Sequence, residues 1–493
     1  MNTVSFKKTW PALALLGLAA CQPELDAPSI DKGSADFSSY VAIGNSLTAG
    51  FQSGGLANYG IETSYPAILA QQFAKAGGGS FVQPTFEDNR KDGSGYLKFF
   101  GLTNTGGPIL LSPGQSTTVT PAGETTPRTI TNNVADYQLA YTGSTLPGPP
   151  AGSGLPALTP FTGAQPDNLG VPGISVLSAD ATAATTINPT FPIPVPVLNA
   201  SARGYGNINN YYHRLLPAAD QGTKDYVTFI GQKNPTFFTC WMGNNDVLTY
   251  ATNGAVNVAT NPFSGLTDTT SFGRGYRNIV RTISKNGTVK GVVANIPNVT
   301  NVPYFTAVAV PAIIAGIKAN TQLPNSTQAS LYITTGTGTV REATAGDLLT
   351  LTASSIIGTR GAGNPLPVGV GYSATQANPL PSQFVLDAAE ITAIQTRTTQ
   401  LNVIIAKTAR QYGVPVVDMN AFFNSIALNG FAINATANSA AFIRGNLFSL
   451  DGVHPTSRGY AIIANEFIRV INATYRASVP QVNPNDYNAL LLP

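Results

Sequence analysis

Pro235-Thr236-Phe237-Phe238-Thr239-Cys240-Trp241-Met242 is a near-continuous apolar run. Such a run reads as a strand covered on both faces, the kind found in parallel sheets packed between helices. Tyr40 to Ile43, Val289 to Ile296 and Val414 to Met419 have the same character. Helical patterns stand between them. Tyr65 to Ala76 carries Pro66 near its first turn and stops at Gly77-Gly78-Gly79. Tyr226 to Gln232 reads as a shorter helix. Phe272, Tyr276, Ile279 and Ile283 share one helical face, and Asn286-Gly287 ends that helix. The clearest helix places Ile391, Ile394, Leu401, Ile405 and Tyr412 on one face, with Gly413 at its C′ position and Pro415 blocking continuation. The last helix bears Tyr460, Ile463, Phe467 and Ile471 on one side. Buried strands alternating with amphipathic helices predict an α/β fold built on a parallel sheet.

Two stretches break this rhythm. From about residue 80 to 165, short β-prone pieces (Arg128 to Thr131, Tyr137 to Thr142) alternate with Pro-Gly, Gly-Gly and Pro-Pro turns. From about 300 to 382, Ser330 to Thr334 and Leu348 to Thr352 are again β-prone. Both retain aliphatic and aromatic residues, so they read as insertions laid over the core. The resulting division is a tether over 21–38, a main domain over 39–475 carrying both insertions, and a C-terminal tail over 476–493. No repeat of 20–50 residues is visible.

The start of the chain reads as an address. Lys7 and Lys8 precede an apolar segment, Trp10 to Ala20, and small residues lie directly before Cys21. A basic flank, a short apolar core and small residues before the cut describe a secretory signal over 1–20. Leu18-Ala19-Ala20-Cys21 resembles a bacterial lipobox, which implies cleavage before Cys21 and lipid attachment to its thiol. The alternative is an ordinary signal peptide with a chance cysteine. By the same resemblance, Gln22 after the cysteine favours the outer over the inner membrane, with Glu24 and Asp26 as weak pointers to surface display. The longest later apolar stretch, Phe305 to Ile317, is too short to span a bilayer and contains Pro311. The expectation is therefore a protein anchored by its N-terminus, on the periplasmic face or the cell surface.

Removing residues 1–20 from 493 leaves 473, and formal charge falls from +3 to +1 because only Lys7 and Lys8 are lost. With 10% charged residues the chain has no basic footprint for nucleic acid. Cys240 is the only cysteine besides Cys21, and it lies in an apolar run. It reads as a small buried hydrophobe, so the fold must be stabilised by its core and not by disulfides.

The chemistry points to one serine. Strand Tyr40 to Ile43 ends at Gly44, and Ser46 follows where the chain must turn. A helix starting there would direct its first N–H groups near the hydroxyl, ready to stabilise negative charge. Of the two histidines, His213 in Tyr211-Tyr212-His213-Arg214 reads as structural or exposed. His454 follows Asp451 by three residues, in a loop before a helix. A carboxylate at that spacing can accept the Nδ1 hydrogen bond and leave Nε2 free as a base. The competing reading of this pair is a helix-capping loop with incidental polar residues. Donors for an oxyanion would be the Ser46 N–H, a glycine N–H in the 170–173 turn, and the Asn245 side chain.

VAIGNSLTAGF, NLGVPGIS, MGNNDVL and DGVHPTSRG, in that order, resemble the four signature blocks of the GDSL/SGNH hydrolase family. The resemblance implies a three-layer, flavodoxin-like parallel sheet flanked by helices. It implies a serine esterase or lipase acting through an acyl-enzyme, with no metal or cofactor. Carried over, Ser46 is the nucleophile, Asp451 the acid and His454 the base. Gly173, five residues after Asn168, is the backbone oxyanion donor, and Asn245 is the side-chain donor. Asn45 departs from the aspartate usual before the serine, which alters the network behind the nucleophile. Thr48 replaces the second glycine of a Gly-x-Ser-x-Gly elbow, which argues against an ordinary α/β-hydrolase. The implied substrate is a lipid ester or an acetylated glycan. The alternative from another class is a non-catalytic surface lipoprotein that binds glycans or other nutrients, for which the polar, aromatic-bearing insertions speak.

Overall fold

The computed structural model describes residues 29–490 except 105, 139, 141–157, 181–208, 222–223, 258–262, 362 and 434–435. The signal segment and Cys21 lie outside the described residues. Five strands form the central sheet: β1 (Tyr40–Gly44), β2 (Asn168–Gly170), β3 (Phe237–Trp241), β4 (Lys290–Ala294) and β5 (Val416–Val417). Their order is β5-β4-β3-β1-β2, and every pairing is parallel. Gly44 pairs with Gly170 on one side and with Trp241 on the other, which aligns the C-terminal ends of β1, β2 and β3.

Alternation of side chains divides the core into two layers. Val41, Ile43, Phe238, Cys240 and Val293 face one cluster. It is completed by Tyr276, Ile279 and Ile283 of α5 (Thr269–Ile283) and by Ile394, Leu401 and Ile405 of α6 (Ala388–Gln411). Tyr40, Ala42, Phe237, Trp241 and Val292 face the other, beneath α2 (Tyr65–Lys75) and α8 (Ser457–Tyr475). The protein is thus the expected three-layer α/β/α sandwich. Trp241 is fully buried against Tyr65 and Phe467, and its indole N–H donates to the Asn295 carbonyl at 3.0 Å. Replacing it by alanine would cost about 3–5 kcal/mol, through lost contact and the cavity left behind.

The helix ends follow from their sequence. Ser64 caps α2, with Pro66 in its first turn. Asp387 and Glu390 form a capping box at the start of α6, and Gly413 adopts φ +65° just past its end. The run Val414 to Met419 yields only the two-residue β5. It lies at the sheet edge behind Pro415, and the chain already turns at Asp418 to cap α7 (Met419–Asn429).

The segments between core elements have their own structure. Lys98–Leu102 pairs with Pro108–Leu111, and Ser116–Val119 with Arg128–Thr131, as two antiparallel hairpins. Tyr137 follows a short 3-10 turn and is not in a strand, while residues 141–142 lie outside the described residues. Between β4 and α6, Ser330–Thr334 is central in a four-stranded antiparallel sheet with Val340–Glu342, Val370–Ser373 and Gln376–Ala377. Its apolar side chains form a separate cluster around Leu331, Ile333, Leu349 and Leu380. Leu348–Leu349 is a strand, but Leu351–Ser355 then winds into a 3-10 helix, so the β-prone stretch is split. At the N-terminus, the stretch read as a tether is docked from about Gly33 onward. Ala35 and Phe37 are buried, and Phe37 stacks on Phe73 with ring centroids 4.1 Å apart.

Candidate active site

Ser46 opens α1 (Ser46–Ala49), two residues beyond the end of β1. Asn45 is the N-cap: its side-chain oxygen accepts from Leu47 N–H at 3.0 Å, and its amide donates to Asn244 Oδ1 at 3.0 Å. A neutral amide at position 45 therefore supplies the donor to Asn244 Oδ1, which an ionised aspartate could not. Asn168 braces the same turn from the neighbouring strand, donating to the Thr48 carbonyl at 3.0 Å.

His454 and Asp451 lie in the loop before α8. His454 Nε2 is 2.8 Å from Ser46 Oγ, and His454 Nδ1 is 2.9 Å from Asp451 Oδ2. The three groups are hydrogen-bonded in series across more than 400 residues of sequence. Asp451 also accepts from the backbone N–H groups of Gly54 (2.8 Å), Val453 (2.9 Å) and His454 (2.8 Å), and from the Ser449 hydroxyl at 3.3 Å. Burial pushes the Asp451 carboxyl up, but the neighbouring imidazole and these donors outweigh it and hold the group below the usual carboxylate range. An ionised carboxylate is thereby fixed against Nδ1. This selects the tautomer with Nδ1–H and leaves the Nε2 lone pair toward the serine hydroxyl.

Two loops are laced together to hold this geometry. Ser53 N–H donates to Ser449 Oγ at 2.8 Å, and Gly54 N–H reaches Asp451 as above. The loop after Ser46 thus binds the loop that carries the acid and base. Ser53, Gly54, Ser449 and Asn244 were not singled out from the sequence. Ordinary serine, glycine and asparagine residues give no signal of partners 199 to 397 positions away.

The remaining candidates occupy the same edge of the sheet. Asn245 begins α4 (Asn245–Thr252) and borders the pocket that contains Ser46. Its amide donates to the Ile174 carbonyl at 2.8 Å, which engages one of its two hydrogens. Gly173 sits exposed on the turn after β2 with φ +81°, and its N–H has no acceptor among the described residues. It does not border the Ser46 pocket itself. Gly170 has a different task, since a Cβ there would run into the backbone of Thr48 and Ala49. Asp246 secures the turn: it accepts from Val176 N–H at 2.8 Å and Leu177 N–H at 3.4 Å, at the start of α3 (Val176–Ala179). Burial raises its carboxyl to about 6 despite those donors. The backbone turn bearing Gly173 is thus tied to the first turn of α4 through both Asn245 and Asp246.

His213 is not part of this assembly. It ends the short helix Asn210–His213, its Nε2 is buried without a partner among the described residues, and burial lowers its pKa. Cys240 is fully buried within β3, and burial pushes its thiol pKa far up. Among the described residues no group of three or more His, Cys, Asp or Glu side chains is placed to ligate a metal. None of the described helices is long and apolar enough to cross a membrane.

A hydroxyl, an imidazole and a carboxylate in series at the C-terminal edge of a parallel sheet form the arrangement used by serine hydrolases. The family model for GDSL-like lipase/acylhydrolase matches residues 162–467, more than half of the chain. The chain belongs to this family, whose activity is the hydrolysis of esters. The matched span contains the Gly173 turn, Asn245, Asp451 and His454, whereas β1 and Ser46 precede it. No curated protein and no solved structure matches the chain.

Proposed function

We propose that the chain is a serine esterase in which Ser46 is the nucleophile, His454 the general base and acid, and Asp451 the orienting carboxylate. The observation that carries this reading is the pair of hydrogen bonds in series, Ser46–His454 at 2.8 Å and His454–Asp451 at 2.9 Å. Ser46 Oγ bonds to the ester carbonyl carbon as His454 Nε2 takes its proton. The carbonyl electrons move onto oxygen, and Asp451 stabilises the imidazolium. Ser46 N–H, Gly173 N–H and the second hydrogen of Asn245 are the donors for that oxygen. Collapse breaks the carbon–oxygen bond to the alcohol, which leaves with the proton from His454. Water then attacks the acyl-enzyme with the same imidazole as base, releasing the carboxylic acid and restoring Ser46.

The test is hydrolysis of p-nitrophenyl acetate and longer esters by the protein and by its Ser46→Ala variant. Release of p-nitrophenol that disappears with the serine supports the reading. Equal rates from both proteins would remove it.

The N-terminal features support a second element of the proposal. The protein is exported and held at the bacterial outer membrane by lipid on Cys21, where it meets lipid esters or acetylated glycans. Labelled palmitate should enter the wild-type protein and not a Cys21→Ser variant, and the variant should leave the membrane fraction. Persistent membrane association without label would argue for another anchor.

A further inference from the structure

The space beside Ser46 is apolar on nearly every wall. Its cavity volume is about 50 Å3, and part of it is open to solvent. Its walls include Leu248 of α4, Val299 and Val302 from the loop after β4, Phe423 and Ile426 of α7, and Phe448. No Asp, Glu, Lys or Arg side chain lines it. The polar groups on its border are mostly asparagines, each engaged within the protein through at least one end of its amide. Asn244 Oδ1 accepts from Asn45, Asn245 donates to Ile174, Asn298 Oδ1 accepts from Thr300, and Asn301 donates to Asn424. A sugar ring needs several donors and acceptors, and the aliphatic and aromatic side chains that make up most of the wall supply none. An unbranched alkyl chain needs none, and gains by leaving water.

We infer that α7 and the loop over residues 297–302 form an alkyl-chain cleft that makes this protein select esters bearing a long hydrocarbon chain over acetyl esters. The inference rests on the esterase reading for its chemistry and adds the substrate class that reading leaves open. The cleft begins at Ser46 and His454, so a chain attached to the scissile ester enters it without a spacer. Either the acyl or the alcohol portion can supply that chain, and both have the same chemistry. Each methylene withdrawn from water favours the bound complex about fourfold. The six methylenes separating octanoate from acetate therefore raise kcat/KM by at least about tenfold, even where burial is partial and chain ordering offsets much of the gain. Ala427 is exposed on α7 at the cleft border, where a larger side chain has room to fold and would narrow the entrance.

The experiment uses the full chain, its Ser46→Ala variant and its Ala427→Trp variant. kcat/KM is measured for p-nitrophenyl acetate, butyrate, octanoate and dodecanoate, and for acetate esters of ethanol and octanol. Binding of acetic and decanoic acids to the Ser46→Ala protein is measured by calorimetry. The expected result is a rise of tenfold or more along one series, which names the acyl or the alcohol side as the occupant. The octanoate-to-acetate ratio, or the octyl-to-ethyl ratio, should fall at least fivefold in Ala427→Trp. Decanoate should bind the Ser46→Ala protein at concentrations where acetate does not. Serine-dependent hydrolysis that is fastest on acetate and declines in both series would overturn the inference while leaving the esterase reading intact. Decanoate binding without serine-dependent hydrolysis of any ester would do the reverse. Absence of both overturns both.

Discussion

Replacing Asp451 with asparagine tests the hydrogen-bonded series where it is most constrained. Asp451 Oδ1 receives three donors, from Val453 N–H, His454 N–H and the Ser449 hydroxyl, and Oδ2 receives two, from Gly54 N–H and His454 Nδ1. An asparagine has one oxygen and one NH2, so one of these positions must face donors with a donor. Keeping oxygen at the three-donor position directs the NH2 toward Gly54 and His454. The imidazole can then restore a hydrogen bond only by moving its proton to Nε2, which places an N–H against Ser46 Oγ and removes the base. The expected loss in kcat is about 10⁴-fold, equivalent to about 5.4 kcal/mol of barrier. The structural cost is much smaller, because only the Gly54 N–H loses its acceptor, at about 1–3 kcal/mol. The assay is p-nitrophenyl ester turnover beside a thermal melt of the same preparations. A folded variant, melting a few degrees lower but nearly inactive, is expected. Turnover within tenfold of wild type would refute the tautomer argument and with it the assigned role of Asp451.

Other substitutions probe neighbouring parts. Asn245→Ala should lower kcat by about 10²- to 10³-fold while the fold persists, and unchanged turnover would remove Asn245 from the oxyanion site. Gly452 has φ +70°, a Cβ there would lie 2.9 Å from Tyr304 N, and its carbonyl accepts from that N–H at 2.8 Å. Gly452→Ala should displace the His454 loop and reduce kcat about 10²-fold, so wild-type kinetics would show the loop is not braced there. Asp246 titrates at about 6 in the folded protein against an ordinary 3.8. The native state therefore holds that proton more tightly than the unfolded chain, and the resulting stabilisation, complete below pH 3.8, is lost as pH rises through 6. Urea unfolding of wild type relative to Asp246→Asn should show this difference falling by about 2 kcal/mol between pH 4 and pH 7; a flat difference would exclude a raised Asp246. Cys240 should resist a thiol reagent in the native state and react once denatured, since burial suppresses its thiolate.

Local chemistry made much of this protein readable in one dimension. The apolar run at 235–242 had to be a strand covered on both faces, because each alternating set of positions carries a single hydroxyl, Thr236 or Thr239, among apolar side chains. The stripes on 272–283, 391–412 and 460–471 had to face a sheet. Asp451 and His454 are three residues apart, so a turn is enough to bring their side chains together. Short blocks around Ser46, Gly173 and Asn245 carried enough local signal to be matched in order. Edge strand β5 was overextended because apolar character persists through Val414 to Met419, while backbone pairing depends on what lies alongside. The docking of Phe37 against Phe73 was likewise invisible in a polar stretch.

What only the tertiary structure decided are contacts between residues far apart in sequence. The 2.8 Å approach of His454 to Ser46 depends on the register of a five-stranded sheet and on the strap from Ser53 and Gly54 to Ser449 and Asp451. The alkyl cleft assembles from α4, the loop after β4, α7 and Phe448, none of which is distinctive by itself. Sequence patterns report the solvent exposure and backbone preference of neighbours along the chain. A substrate cleft is a property of side chains that become neighbours only when loops are closed over hundreds of residues.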